Sequence, residues 1–205
     1  MALAAGSLVE APLVKQQMRE RFRSERRARP ADERLADARA LATVVLEIPE
    51  VANASCVALH ASSDGGPGTG PLRARLLRSG VRVLLPVLLG DGRLDWVVDG
   101  GQPVPGAEEA PDDAVTLPGG EGIAEADVVL VPALAVDTLG NRLGQGHGFY
   151  DRTLRELHRS VPVFAVVYDD EVLDAAIEAM PVEPHDRPVD AVVTPQRCLR
   201  LHWRR

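Results

Sequence analysis

Apolar residues recur at helical spacing near the start of the chain and in short unbroken runs further along. Over residues 8–29, Val14, Met18 and Phe22 return every four positions and predict a helix with a thin apolar stripe. Lys15 and Arg19, also four apart, share a neighbouring face. The arginines at 21, 23, 26, 27 and 29 are read for the most part as a solvated basic surface, and Pro30 breaks the helix. Residues 31–47 predict a second helix. Asp32 and Glu33 suit the positive end of its dipole; Leu35, Ala38, Leu41 or Ala42, Val45 and Leu46 form its buried stripe, and Pro49 ends it.

From there the pattern changes to short apolar runs separated by turn residues. Strands are expected at 55–61, 81–86, 94–98, 127–132, 161–168 and 191–194, the last of the chain. Helices are expected at 72–79, opened by Pro71 and stopped by Gly80, and at 149–158 and 169–179. Residues 62–70 and 181–188 are loops, 90–92 a turn, 100–122 irregular, and 94–98 an edge strand carrying Trp96. The strand–helix–strand order over 55–86 implies parallel pairing with a right-handed crossover. The sum is an α/β fold: a mainly parallel sheet flanked by helices, with two N-terminal helices, in a single domain over 1–205. In such folds ligands sit beyond the carboxyl ends of the strands, so the loops after Ala61, after Pro132 and before Asp190 are expected to face one cleft.

Composition adds limits. Aromatic residues make up 3% of the chain, so the core must be built from Val, Leu and Ala. A net charge of -7 argues against a nucleic-acid partner. No apolar run approaches the ~20 residues of a membrane span. The first residues are too short, and lack the basic lead-in, for a signal peptide. The expectation is a cytoplasmic protein acting on a small molecule, a monomer with an oligomer left open. Cys56 and Cys198 show no metal or redox spacing and are read as a small buried residue and a tail residue. Lys15 is the one lysine among 23 basic residues, and its compact point charge is not reproduced by an arginine fork.

The chemistry concentrates at residues 141–152. Gly144, Gly146 and Gly148 alternate with other residues between an apolar run and a helix-like one. Such a loop turns tightly and points several N–H groups at one anion. Arg142 and Arg152 flank it with positive charge, and Asp151 offers a carboxylate suited to a hard cation such as Mg²⁺. The segment is read as a phosphate-binding loop with a metal ligand beside it; the alternative is an ordinary surface turn. No Gly-Lys-Ser/Thr follows, and the glycines do not take the dinucleotide spacing, so neither generic phosphate motif applies.

The run Val131-Pro-Ala-Leu-Ala-Val-Asp137, followed by Gly140-Asn-Arg-Leu-Gly-Gln-Gly-His-Gly-Phe-Tyr-Asp-Arg152, resembles the signature of the 5-formyltetrahydrofolate cyclo-ligases, also called 5,10-methenyltetrahydrofolate synthetases. The likeness extends to Lys15 and Arg19, to the strand ending at Pro86, and to Met180-Pro-Val-Glu-Pro-His-Asp186 with Asp190 and Thr194. The resemblance implies conversion of 5-formyltetrahydrofolate and ATP to 5,10-methenyltetrahydrofolate, ADP and phosphate, with Mg²⁺. It implies that Gly144, Gln145, Gly146, His147, Gly148, Phe149 and Tyr150 surround the nucleotide. Arg142 adds charge there, and Lys15 and Arg19 approach from the first helix, which packs near the nucleotide over residues 1–30. Lys15, Arg142 and Asp151 carry the catalysis, and Asp151 and Asp186 hold the metal. Tyr150 borders the folate, and Trp96 is set with it on the substrate side. His185 is read as structural.

The chain departs from the family pattern at Gln145, where an arginine is frequent, at His147, where glycine or lysine is, and at Phe149, where tyrosine is. His147 would replace a lost charge only when protonated. A further departure lies in the loop after the first strand: Gly66 stands where the family carries a pterin-contacting Glu, with the shorter Asp64 displaced from that position by two residues. The first reading is therefore a working cyclo-ligase in which Asp64 or another group replaces the Glu. The second is a relative that activates a different amide, formamide or carboxyl substrate with ATP. The third is a nucleotide- or folate-binding protein without turnover.

Overall fold

A computed structural model describes residues 7–62, 65–88, 94–100, 122–183 and 186–201, the side chains of 7–10 and 156 excepted. Asp64, His185, the turn at 90–92 and most of the 100–122 stretch lie outside the described residues. The helices are α1 (Ser7–Ala28), α2 (Ala31–Leu46), α3 (Pro49–Ala52), α4 (Gly70–Arg78) and α5 (Phe149–Glu156). The strands are β1 (Cys56–Leu59), β2 (Arg82–Leu88), β3 (Leu94–Val98), β4 (Val128–Pro132), β5 (Ala135–Asp137), β6 (Arg142–Leu143), β7 (Val163–Val166), β8 (Val172–Leu173), β9 (Ala191–Val193) and β10 (Cys198–Arg200).

The main sheet runs β10-β9-β7-β4-β1-β2-β3. Its inner pairs are parallel, from β2 through β1, β4 and β7 to β9, and its edge strands β3 and β10 pair antiparallel. Strands buried on both faces need continuous apolar runs, which is why Cys56–Leu59 and Val128–Val131 lack the polar alternation of a half-exposed strand. Alternate side chains divide the core. Val57, Leu59, Leu130 and Val166 face α2 and α4 through Leu41, Val45, Leu72 and Leu76. Ala58, Val129, Val131 and Ala165 face α5 through Leu154 and Leu157. A second, small sheet, β6-β5-β8, receives α1 through Met18 and Phe22 against Leu134, Leu143 and Met180.

The expected α/β architecture holds, with the small β6-β5-β8 sheet added to the expected strands and four further differences in detail. Residues 169–179 do not form a helix: a single 3-10 turn at Asp169–Glu171 leads directly into β8. The reason is tertiary, because β8 pairs with β5 and the Leu173 carbonyl accepts the Thr138 N–H at 2.9 Å. Pro49 starts α3 as well as closing the preceding helix. β10 follows the strand expected to be last, and it carries Cys198 at the sheet edge. Within the first two helices, Val14 and Leu35 are exposed at 38% and 51%, so the apolar stripes are shorter than their spacing suggests.

Arg26 is the main exception to a solvated basic helix, being only 3% exposed. Its Nε and one terminal nitrogen donate to the two Glu171 oxygens at 2.6 and 2.8 Å, and the same terminal nitrogen donates to the Ala133 carbonyl at 2.6 Å. Glu171 also accepts the Tyr168 N–H at 2.8 Å. Tyr168 carries the guanidinium of Arg29 on its ring at 3.9 Å and donates its hydroxyl to the Gly65 carbonyl at 3.1 Å. Among the described residues, no helix is long and apolar enough to cross a membrane.

Two stability predictions follow from this interior. Arg26→Ala leaves Glu171 buried without its cation, which costs about 3–5 kcal/mol, and the melting temperature should fall by roughly 10 °C. A variant within 2 °C of wild type would show that the pair does not anchor the helix. His60, at the end of β1, is buried with Nδ1 3.5 Å from the Leu130 carbonyl. Burial, reinforced by the nearby charge of Arg26, lowers its pKa from 6.5 to about 4. The unfolded chain therefore binds the proton first as pH falls. Stability should drop between about pH 6.5 and pH 4 by up to about 3 kcal/mol, and His60→Asn should flatten that part of the denaturation profile.

Candidate active site

The glycine segment is presented by the β5–β6 hairpin, and the hairpin is organised by the fully buried Asp137. Its carboxylate accepts the N–H groups of Leu139 and Asn141 at 3.0 and 2.9 Å and the Asn141 side-chain amide at 2.9 Å. The chain then passes through β6 into residues 144–148 and directly into α5. Gly146 and Gly148 hold φ of 104° and 67°, conformations costly for any residue with a Cβ. Gly148 is the N-cap of α5 and offers no side chain to its first N–H groups, so that helix end faces the pocket as a positive pole.

Helix α1 forms the opposite wall. The Lys15 ammonium, 5% exposed, donates to Glu183 and Asp186, each at 2.7 Å. Asp186 also accepts the Glu183 N–H at 2.9 Å, so the loop before Asp190 folds around the lysine. Arg19 donates its Nε to the Gly144 carbonyl at 2.9 Å, and a Cβ on Gly146 would lie 3.3 Å from its guanidinium carbon. Arg142 lies beneath the loop, buried, donating to Asp151 and, at 3.4 Å, to the Pro132 carbonyl. Its Nε has no acceptor among the described residues.

Lys15, Arg19, Arg142, Gly144, Gln145, Gly146, His147, Gly148, Phe149, Tyr150, Asp151, Glu183 and Asp186 line one pocket. The residues come from α1, from the hairpin and glycine segment, and from the 183–186 loop. Arg142 is paired there with Asp151. His147 stacks on Phe149 with ring centroids 5.1 Å apart and planes at 9°. The Tyr150 hydroxyl pKa is raised by burial, an effect the nearby Arg142 charge opposes. The carboxylates of Asp151, Glu183 and Asp186 are hard oxygen donors of the kind a divalent cation takes. Among the described residues no group of three or more His, Cys, Asp or Glu gathers at metal-binding spacing, so a cation here would complete its shell with ligand and water oxygens.

Two residues expected on the substrate side, Trp96 and Gly66, do not line this pocket. Trp96 is 1% exposed and packs edge-on behind Tyr150, centroids 6.4 Å apart; its indole N–H has no acceptor among the described residues. Gly66 belongs to the loop after β1. The described part of that loop does not line the pocket and packs instead against the far half of α1, where a Cβ on Gly65 would sit 3.5 Å from the Arg26 Cβ. Of the three loops expected to share a cleft, the glycine segment and the loop before Asp190 do so. The residues without a role assigned from sequence are Glu183, Asp137 and Arg23. Glu183, three positions before Asp186, had a visible signal in that spacing; the other two had none.

Residues 12–195 match the model of the 5-formyltetrahydrofolate cyclo-ligase family. The chain is 39% identical to the 5-formyltetrahydrofolate cyclo-ligase of Mycolicibacterium smegmatis, an alignment covering 91% of this chain and 96% of that one. It is 34% identical to the enzyme of that name from Escherichia coli K12, over 86% of this chain and 97% of the other. In fold it is similar to the 5,10-methenyltetrahydrofolate synthetase of Aquifex aeolicus, with a TM-score of 0.74, 24% identity and coverage of 94% and 95%. It is also similar to a synthetase of that name from Mycoplasma pneumoniae, with a TM-score of 0.70, 17% identity and coverage of 89% and 99%. With a family match over most of its length and full-length relatives above 30% identity, the chain belongs to the 5-formyltetrahydrofolate cyclo-ligase family of enzymes.

Proposed function

We propose that this protein cyclises 5-formyltetrahydrofolate to 5,10-methenyltetrahydrofolate with ATP and Mg²⁺, releasing ADP and phosphate, as a monomeric cytoplasmic enzyme of one domain. The observation that carries the reading is the single pocket gathering Lys15, Arg19, the glycine segment and two sets of carboxylates from three separate parts of the chain. The reaction needs such a site because a formyl oxygen is a poor leaving group. It attacks the terminal phosphorus of ATP, and ADP leaves with the electron pair of the broken P–O bond. The second folate nitrogen then bonds to the same carbon, loses its proton, and the C–O bond breaks to release phosphate.

Phosphoryl transfer is helped mainly by positioning and charge. In this reading the N–H groups of the glycine segment and the open end of α5 face the phosphates, with Arg19 and Lys15 across from them. Asp151 and Asp186 are the residues that would hold Mg²⁺, whose role is to neutralise phosphate charge and orient its oxygens. Arg142 keeps the Asp151 carboxylate aimed, and Lys15 does the same for Asp186. Tyr150 borders the folate, with Trp96 supporting it from behind. The flat face of Phe149 with His147 stacked on it forms the outer rim.

A second reading, ATP-dependent activation of another amide, formamide or carboxyl compound, is favoured by Gly66. A carboxylate contacting a heterocycle edge through charge-assisted hydrogen bonds carries specificity, and glycine supplies none. Gly66 is not one of the positive-φ glycines, so its φ does not itself require glycine.

Methenyl product is followed by absorbance with purified protein, 5-formyltetrahydrofolate, ATP and Mg²⁺. Turnover comparable to other family members is expected; ATP binding without turnover would reject the folate reading. In the same assay Lys15→Ala should reduce the rate by about 100-fold or more with the circular dichroism spectrum retained, and a wild-type rate would refute the role given to Lys15. Gly66→Glu should lower the KM for the folate if the missing carboxylate limits affinity. An unchanged KM would mean another group already makes that contact.

A further inference from the structure

Arg23 sits one helical turn beyond Arg19 and two beyond Lys15 on α1, and the side chain is half-buried. It does not reach into the pocket. Its Nε donates to the Gln145 side-chain oxygen at 3.0 Å, one terminal nitrogen donates to the same oxygen at 2.5 Å, and that nitrogen also donates to the Gln145 carbonyl at 3.2 Å. One guanidinium thus holds both the side chain and the backbone of a residue that stands between Gly144 and Gly146. Arg19 holds the Gly144 carbonyl in the same way. Neither arginine forms an ion pair with a carboxylate among the described residues.

The cost of this arrangement indicates that it serves the loop. Burial lowers the Arg19 pKa, the charge of Arg23 on the next turn lowers it further, and the Glu183 and Asp186 carboxylates oppose that shift. Two like charges held on adjacent turns against neutral acceptors repel each other. Charge-assisted hydrogen bonds to the Gly144 and Gln145 oxygens, together with the Glu183 and Asp186 carboxylates near Arg19, offset that repulsion. Residues 144–148 need fixing, because three alternating glycines have the widest backbone freedom of any residues.

We infer that Arg23 is a positioning residue for the nucleotide site, acting through Gln145 to hold the glycine segment in its anion-binding shape. The inference rests on the reading of this pocket as the ATP site. It is specific to the Arg23–Gln145 combination: the planar fork grips two oxygens of one residue, which a lysine ammonium does not reproduce.

Two measurements test it, one of them without ligand. In the unliganded protein, backbone order parameters of Gly144, Gly146 and Gly148 should lie near about 0.85 and fall below about 0.6 in Arg23→Gln. Unchanged values, or glycines already mobile in wild type, would overturn the proposal. The dissociation constant for ATP with Mg²⁺, measured by calorimetry, should rise about tenfold in Arg23→Gln, in Arg23→Lys and in Gln145→Ala, with melting temperatures within 2 °C of wild type. The double variant Arg23→Gln/Gln145→Ala should bind no worse than Arg23→Gln alone, because that substitution already removes the grip on the side-chain oxygen that Gln145→Ala also removes. Multiplying losses, rescue by lysine, or unchanged affinity would also overturn it. If the wild type binds no ATP, the proposed function fails, and the order parameters still decide whether Arg23 holds the loop.

Discussion

Helix α1 carries Lys15 and Arg19 to the pocket and Arg23 to the glycine segment beside it, yet only Met18 and Phe22 of its described apolar side chains are buried. The buried pair of Arg26 with Glu171, completed by the Ala133 carbonyl, fixes where that helix lies. A pair of this kind adds little net stability over an apolar substitute, but it is strict about geometry, since any displacement leaves a charge buried without its partner. Residues 15 and 26 are about 16 Å apart along the helix axis. A tilt of roughly 5° about Arg26 would therefore move the lysine by more than about 1 Å, enough to affect phosphoryl transfer. The order along the helix is consistent with this: anchor at Arg26, grip on the loop at Arg23 and Arg19, and Lys15 at the working end.

Charge balance inside the pocket explains why its carboxylates are already paired. Lys15, Arg19 and Arg142 supply three fixed cations, and Asp151, Glu183 and Asp186 supply three carboxylates, so the formal sum is zero with His147 neutral. Each pairing holds a side chain in place in the unliganded protein. Under the proposed function a polyphosphate enters together with a divalent cation, and the net charge of the site then changes less than it would with the anion alone. Preformed pairs also limit the reorganisation needed at binding.

Much of the architecture was legible because parallel strands buried on both faces require continuous apolar runs, and Cys56–Leu59, Val128–Pro132 and Val163–Val166 have them. The helix expected over 169–179 failed for a reason invisible in local pattern. Glu171 is drawn to Arg26, 145 residues away in sequence, and Leu173 to the β5 edge, so the chain leaves helical geometry after one turn. The same partner made Arg26 misleading, since in a run of arginines nothing local distinguishes the one that is buried. Trp96 was legible as an edge-strand residue, but its place behind Tyr150 depends on how α5 crosses β3.

The sequence by itself determined the parallel core strands and the helices that flank them, the glycine segment with its flanking charges, and the family to which these belong. These are properties of local spacing and residue type, and a turn at Gly146 or a helix start after Gly148 needs no distant partner to be recognised. Only the tertiary structure decided which cations hold which carboxylates, that Arg142 lies beneath the loop facing Asp151, that Arg23 grips Gln145, and that Gly66 sits apart from the pocket lined by the glycine segment. Those outcomes are set by long-range pairing of charges and by the docking of α1 on a small sheet. Several of them join residues more than a hundred positions apart, as Lys15 with Glu183 and Arg23 with Gln145, which no local pattern along the chain encodes.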